Sequence, residues 1–303
     1  MGAIPFVKEL DFDYGRADRL SPLIRRVICN NPGPFTYTGS GTYIIGNERG
    51  DVAVVDPGPL NEAHLDALVG EIGKARVSDI LITHTHSDHC GGARAFAARV
   101  GAPIRGAGAH PVREKSVDAP ALDEGADYAF RPDVLLNDGD KITGDGWTVE
   151  AVATPGHLSN HVCFALREER ALFTGDHIMG WATTVIAPPD GDMGAYFESL
   201  EKLLARDDEI YYPTHGAPVA NPKPFVRAIR THRRIRDGQI LDQLKKGRTT
   251  IREITGAIYA DIDKRLHKAA ALNVYAHLIR LVKIGAAECA GEPSLAADYR
   301  FRG

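Results

Sequence analysis

Residues 83–92 read T-H-T-H-S-D-H-C-G-G, so that three histidines and an aspartate fall between His84 and His89, followed by Cys90 and a glycine pair. The apolar run Asp79-Ile80-Leu81-Ile82 leads straight into this stretch. His84 and His86 therefore sit on extended backbone, where residues two apart project to the same side. Two imidazoles on one side make half of a zinc site. Asp88 and His89 come as the chain turns into the next helix and face a neighbouring position, too far for all four groups to serve one ion. The spacing thus predicts two metals side by side. Imidazole nitrogen with carboxylate oxygen suits zinc, with iron or manganese as alternatives. Packing four polar, partly titratable groups together without a counter-charge is unfavourable, which separates this cluster from ordinary loop histidines. Cys90 reads as a small buried apolar thiol rather than a ligand.

Upstream, GTYIIG (41–46) and DVAVVD (51–56) read as two strands joined by the polar turn NERG, the second stopped by Asp56-Pro57-Gly58. Residues 61–75 show helical periodicity with Asn61 as cap, and 93–99 read as helix again. Downstream, Trp147 to His157 and Val162 to His177 predict strand, loop, hairpin, loop. A loop with Pro188, Pro189, Gly191 and Gly194 precedes a helix near 195–205. Three later strand ends carry further candidate ligands: His157 in T-P-G-H, Asp176 in T-G-D-H and His215 in P-T-H-G. Each apolar run ends in a loop bearing His or Asp, the pattern of groups meeting at one rim of an α/β sheet. His110, His161 and His232 stand alone and read as ordinary residues.

After Pro222 the composition changes. Residues 223–285 hold fifteen Lys/Arg and five Asp/Glu, a net of +10, against 21 and 35, or -14, in the rest of the chain. The pattern predicts three helices with short turns, Thr250 and Asp263 capping the last two, and a hairpin near 283–291. That order resembles a winged-helix module, which divides the chain into 1–222 and a basic helical unit over 223–303. The basic stretch would attract phosphate and so nucleic acid. It would equally pair with the acidic remainder, across domains or in a homodimer.

Bulk composition narrows the setting. A chain of 303 residues, 44% apolar and 25% charged, builds a sizeable core. Cys29, Cys90, Cys163 and Cys289 lack C-x-x-C spacing and read as free thiols of a reducing compartment. The opening MGAIPFVKELDFDYGRADRL has no basic start followed by an apolar run, and no stretch of about 18 apolar residues occurs, so neither signal peptide nor membrane span is expected. These features set the expectation of a cytoplasmic protein.

The ordered set V-V-D-P-G, H-x-H-x-D-H, Gly-His, Gly-Asp and Thr-His-Gly, from Thr42 to about Gly216, resembles the metallo-β-lactamase superfamily. The resemblance implies a four-layer αββα sandwich of two similar halves within the α/β (α+β) class. Carried over position by position, it implies that His84, His86 and His157 bind one metal, that Asp88, His89 and His215 bind the other, and that Asp176 bridges them. Asp88 and Asp56 are then the candidate catalytic residues: Asp88 orients a metal-bridging hydroxide, and Asp56 orients a ligand histidine. The motifs supply no dedicated proton donor; His177 and Tyr212 are candidates, read otherwise as a loop histidine and a packed strand tyrosine.

Residues 29–46, CNNPGPFTYTGSGTYIIG, resemble the N-P-G-P-x-T opening of the β-lactamase-like protein 2 group, which includes single-strand endoribonucleases, with Ser40-Gly41 departing from the usual Gly-Thr-Asn. The expectation is a dinuclear zinc hydrolase, first of single-stranded RNA or another phosphodiester. The alternatives are a glyoxalase II-like thioesterase or a lactonase, then a β-lactamase-like activity or a DNA-binding regulator. True β-lactamases lack the acidic bridge and are exported. Persulfide dioxygenases use one iron and fewer ligands.

Overall fold

The computed structural model describes residues 4–110 and 125–303, apart from 262, 264 and 265. Seven strands form the first sheet in sequence order: β1 (Ala17–Arg19), β2 (Ile24–Ile28), β3 (Gly41–Ile45), β4 (Asp51–Val55), β5 (Arg76–Leu81), β6 (Ile104–Gly106) and β7 (Val134–Leu135). The first four pair antiparallel, and β4 onward run parallel. The second sheet is built from β8 (Lys141–Gly144), β9 (Trp147–Ala153), β10 (Val162–Leu166), β11 (Ala171–Gly175), β12 (Ile210–Pro213) and β13 (Val219–Ala220), ordered β13-β12-β11-β10-β9-β8.

The central strands of both sheets are buried on both faces, and the period-2 pattern decides which side chain goes where. In β4, Ala53 and Val55 face the second sheet, whereas Val52 and Val54 face helices. In β10, Val162, Phe164 and Leu166 fill the space between the sheets, and Cys163 and Ala165 point outward. Helices α1 (Glu62–Ile72) and α3 (Ala93–Val100) cover the first sheet. Helices α4 (Met193–Ala205) and α5 (Pro222–Lys245) cover the second. The four layers are those the resemblance implies. Cys90 lies in the helix-side core of the first sheet, where burial raises its thiol pKa far above the ordinary range.

The C-terminal unit adds α6 (Ile251–Ile258), α7 (His267–Lys283) and a two-stranded wing, β14 (Ala287–Cys289) with β15 (Tyr299–Phe301). Asn61 caps α1, and Thr250 caps α6 in a full capping box with Glu253. Asp263 does not cap α7, whose N-cap is Leu266. The hairpin expected over 283–291 is likewise wider, because its second strand begins only at Tyr299. The chain does not break cleanly at Pro222: Phe225, Val226 and Ile229 of α5 belong to the core of the second sheet, while Ile240 and Leu244 belong to that of the winged helix. Among the described residues no helix is long and apolar enough to cross a membrane.

Candidate metal centre

The centre lies at the carboxyl ends of strands from both sheets. His84 and His86 follow β5, Asp88 and His89 sit on α2 (Ser87–Cys90), His157 follows β9, Asp176 follows β11, and His215 follows β12. All seven side chains converge, in two groups. One ligand atom each from His84, His86, His157 and Asp176 lies within 4.8 Å of the others, as do those from Asp88, His89 and His215.

In the first group the His86 Nδ1 sits 2.9 Å from His84 Nε2 and 3.0 Å from His157 Nε2. The outer nitrogens are committed. His157 donates its Nδ1–H to the carbonyl of Val185 at 2.7 Å. Thr83 gives its hydroxyl hydrogen to Asp56 at 2.6 Å, so its oxygen receives the Nδ1–H of His84 at 3.0 Å. In the neutral rings two lone pairs therefore face one His86 nitrogen, which can satisfy only one of them. Three ring nitrogens facing inward with at most one proton between them would be completed by a cation.

The second group repeats the arrangement. His89 donates Nδ1–H to Asp56 at 2.8 Å, and His215 donates Nδ1–H to the carbonyl of Gly39 at 3.1 Å. Their Nε2 atoms face the carboxylates: His215 lies 3.1 Å from Asp88 Oδ2 and 3.4 Å from Asp176 Oδ1, and His89 lies 3.5 Å from each of these. The other oxygen of Asp176, Oδ2, turns to His157 Nε2 at 3.8 Å. Asp176 thus presents one oxygen to each group. His89 Nε2 and Asp176 Oδ1 are buried with no hydrogen-bonding partner. Buried polar atoms left unpaired are rare, and the donor set here fits divalent metal.

The electrostatics divide along the same line. Burial, reinforced by neighbouring imidazoles, holds His84 well below the ordinary histidine value and brings His86 down to about 3. Burial works against charge on His89 too, but Asp88, Asp176 and Asp56 offset it and hold that ring well above its usual value. Against the same burial cost, His89 and His215 keep Asp88 at about 2, and His215 and His89 keep Asp176 well below the carboxylate range. The three histidines of the first group are thus pushed toward the neutral form, and His89 and His215 toward the protonated form.

Asp56 does not line the cavity. It lies beneath the centre with Oδ1 on the Thr83 amide and Oδ2 on Thr83 Oγ1, His89 Nδ1 and Thr214 Oγ1, which suits orientation of ligands. Neither candidate proton donor reaches the cavity: Tyr212 is packed between the sheets against Phe173 and Tyr43, and His177 is buried against Tyr196 and His161. His161, an ordinary residue by its sequence, touches the centre from behind, its Nε2 accepting the Asp176 amide at 3.3 Å while Thr154 holds its Nδ1. Thr83 and Thr214 also escape a reading of the sequence. The repeated T-H pair, Thr83-His84 and Thr214-His215, is the signal that could have found them.

The cavity above the centre is bounded, among the described residues, by His86, Asp88, His157, Asp176 and His215 on its floor and by Phe35, Leu158, Met179, Val185 and Ala187 on its walls, with Thr36 and Gly125. Its volume of about 110 Å³ is on the scale of the ~150 Å³ cavity that admits a benzene ring. None of these lining residues is Lys or Arg.

Comparison with known proteins matches residues 38–215 to the metallo-beta-lactamase superfamily and residues 250–292 to the beta-lactamase associated winged helix domain. A beta-lactamase-like protein 2 homolog of Caenorhabditis elegans is 32% identical over 274 residues, covering 89% of this chain and 88% of its own. An atrochrysone carboxyl ACP thioesterase of Aspergillus fumigatus is also 32% identical, covering 81% of this chain and 73% of its own. Among solved structures, a metallo-beta-lactamase family protein from Thermus thermophilus superposes with a TM-score of 0.77 at 23% identity, covering 94% of this chain and all of its own.

Proposed function

The chain belongs to the metallo-beta-lactamase superfamily of hydrolases, and on that premise we propose that it hydrolyses an acyl thioester with two divalent metal ions, zinc by donor set and iron or manganese as alternatives. His84, His86 and His157 would hold one ion and Asp88, His89 and His215 the other, with Asp176 offering one oxygen to each group. Bound there, such a pair would supply Lewis-acid chemistry, lowering the pKa of a water to about 7 and polarising a carbonyl. Asp88, at the cavity floor, is placed to accept a hydrogen from an attacking water and so fix its direction. The walls exclude bulk solvent from the reacting carbon. A thiolate is a good leaving group on its own, which is consistent with a cavity whose described lining offers no Lys, Tyr or Arg as proton donor.

The observation that carries the substrate class is the apolar wall of Phe35, Leu158, Met179, Val185 and Ala187 beside the ligands, with no Lys or Arg among the described lining residues to receive phosphate. It suits an acyl chain. The thioesterase name of the Aspergillus relative points the same way. Cleavage of single-stranded RNA is the second reading, supported by the +10 surplus over 223–285. Part of that surplus is engaged internally: Arg230 and Arg234 pair with Glu201, Arg280 with Asp237, and Arg236 stacks on Tyr259. The test is a panel of S-acyl thiols of graded chain length beside labelled single-stranded RNA, with an Asp88→Ala variant as blank. Metal-dependent thioester turnover is expected. RNA cleavage above the blank, with thioesters no faster than in buffer, would reverse the order.

A further inference from the structure

The winged-helix unit grips the segment Thr184-Val185-Ile186, and that segment touches the metal centre from its other side. Arg233, on α5, is 2% exposed and donates to the carbonyl of Thr184. Its other terminal nitrogen lies 3.4 Å from Asn273 Oδ1 on α7, and the same oxygen accepts the Ile186 amide at 3.3 Å. Between these two anchored residues, the Val185 carbonyl receives the Nδ1–H of His157 at 2.7 Å. The Thr184 hydroxyl meanwhile donates to the backbone oxygen of Asp176 at 2.7 Å. Val185 also lines the cavity.

From this chain of contacts we infer that Arg233 and Asn273 are positioning residues for the metal centre, fixing through the Val185 carbonyl the tautomer and direction of His157. A ligating histidine needs its second nitrogen held so that the first presents a lone pair. Here the holder is a backbone carbonyl on an irregular loop, which cannot hold its own place. The guanidinium spans the gap because its fork reaches a backbone carbonyl and an amide oxygen at once. It stays oriented over the Tyr196 ring at 5.3 Å. Asn273 completes the grip, because its oxygen accepts from both Arg233 and the loop. The winged helix is in this respect part of the active site, whatever else its surface binds.

The inference rests on the two-ion reading only for its effect on metal affinity; its effect on His157 is independent of any ion. The experiment compares wild type with Arg233→Met, Arg233→Lys and Asn273→Ala, using two readouts. In the metal-free chain, long-range proton–nitrogen correlation of ¹⁵N-histidine protein should report His157 as the Nδ1–H tautomer in wild type, and a mixture or its opposite in Arg233→Met. Zinc titration against a chromophoric chelator should show affinity falling about 10- to 100-fold at one of the two sites in Arg233→Met, less in Arg233→Lys, with the other site unchanged. Asn273→Ala should show the same direction and serves if Arg233→Met does not fold. An unchanged His157 tautomer together with unchanged zinc affinity in folded variants would overturn the inference and leave the pair a structural brace. A wild-type chain that binds fewer than two ions refutes the two-ion reading instead, and the tautomer measurement still decides the clamp.

Discussion

Asp56 accepts the Nδ1–H of His89 at 2.8 Å from a backbone held at a φ of 48°, and the same carboxylate takes the Thr83 amide and hydroxyl. One buried anion thus sets the direction of His89 directly and of His84 through Thr83. Asp56→Asn keeps the shape but replaces one acceptor oxygen with an NH₂ that cannot receive these hydrogens. Zinc affinity of the second group should fall about 10- to 100-fold, with turnover falling alongside it. Metal content after dialysis and chelator competition checks this, and unchanged affinity would mean that His89 is oriented by something else.

Phe35 tests the substrate class. It is half-buried at the cavity wall and is not itself a candidate ligand. Phe35→Ala removes apolar contact that a long acyl chain would use and a short one would not. KM for long-chain thioesters should rise about tenfold, equivalent to about 1.4 kcal/mol of lost apolar contact, with acetyl thioesters nearly unaffected. Steady-state kinetics across chain lengths decides it, and a uniform loss for all lengths would contradict the assignment.

The site is legible in the sequence because its densest part is local. His84 to His89 declare themselves within six positions, and the later ligands end strands whose apolar runs are plain. What the sequence hides is long-range or short. Arg233 lies 49 positions from the carbonyl that it holds and reads as one more basic residue on a basic helix. Strand β2 does not announce itself, because IRRVI carries two arginines on a fully buried strand, where alternation of polarity gives no signal. Strands of two to four residues such as β6, β7, β8 and β13 are shorter than any period that could reveal them. The wing falls outside its expected range because its second strand pairs across a loop running from Ala290 to Asp298.

His64 gives the pH dependence of the metal-free chain. Its Nε2–H meets Thr42 Oγ1 at 2.9 Å, because that hydroxyl donates to the Asp56 carbonyl, and its Nδ1 is buried with no partner. A second proton would have nothing to bond, and burial lowers the pKa from 6.5 to about 4. A depressed pKa means that the unfolded chain binds the proton first. The contribution is therefore complete above pH 6.5 and is lost as the pH falls toward 4, by up to about 3 kcal/mol. His177 and His232 are lowered the same way by burial and add to the trend. Urea melts of metal-free protein at pH 7 and 4.5 should show a smaller difference in His64→Gln than in wild type, and equal differences would remove His64 as a cause.

Gly175 makes the sharpest stability prediction, because it can be set against another glycine in the same chain. It precedes Asp176 at a φ of 49°, and an added Cβ would lie 2.7 Å from His161 Nε2 and 2.9 Å from Thr83 Cβ and Oγ1. Both neighbours hold the centre: His161 accepts the Asp176 amide, and Thr83 links Asp56 to His84. Thr83 is fully buried next to a ligand, so it cannot retreat without moving His84. The left-handed backbone alone costs alanine about 1–2 kcal/mol, and the clash adds to it. Gly238 is the reverse case: it is exposed within α5, and a Cβ added there would meet nothing within 4 Å. There alanine should stabilise by about 0.5–1 kcal/mol, since helical glycine carries a backbone entropy cost. Denaturant melts of the two variants should move the midpoint in opposite directions, and only Gly175→Ala should weaken zinc binding. A Gly175→Ala variant with wild-type stability and zinc content would show that the contacts behind Asp176 yield more readily than their burial implies.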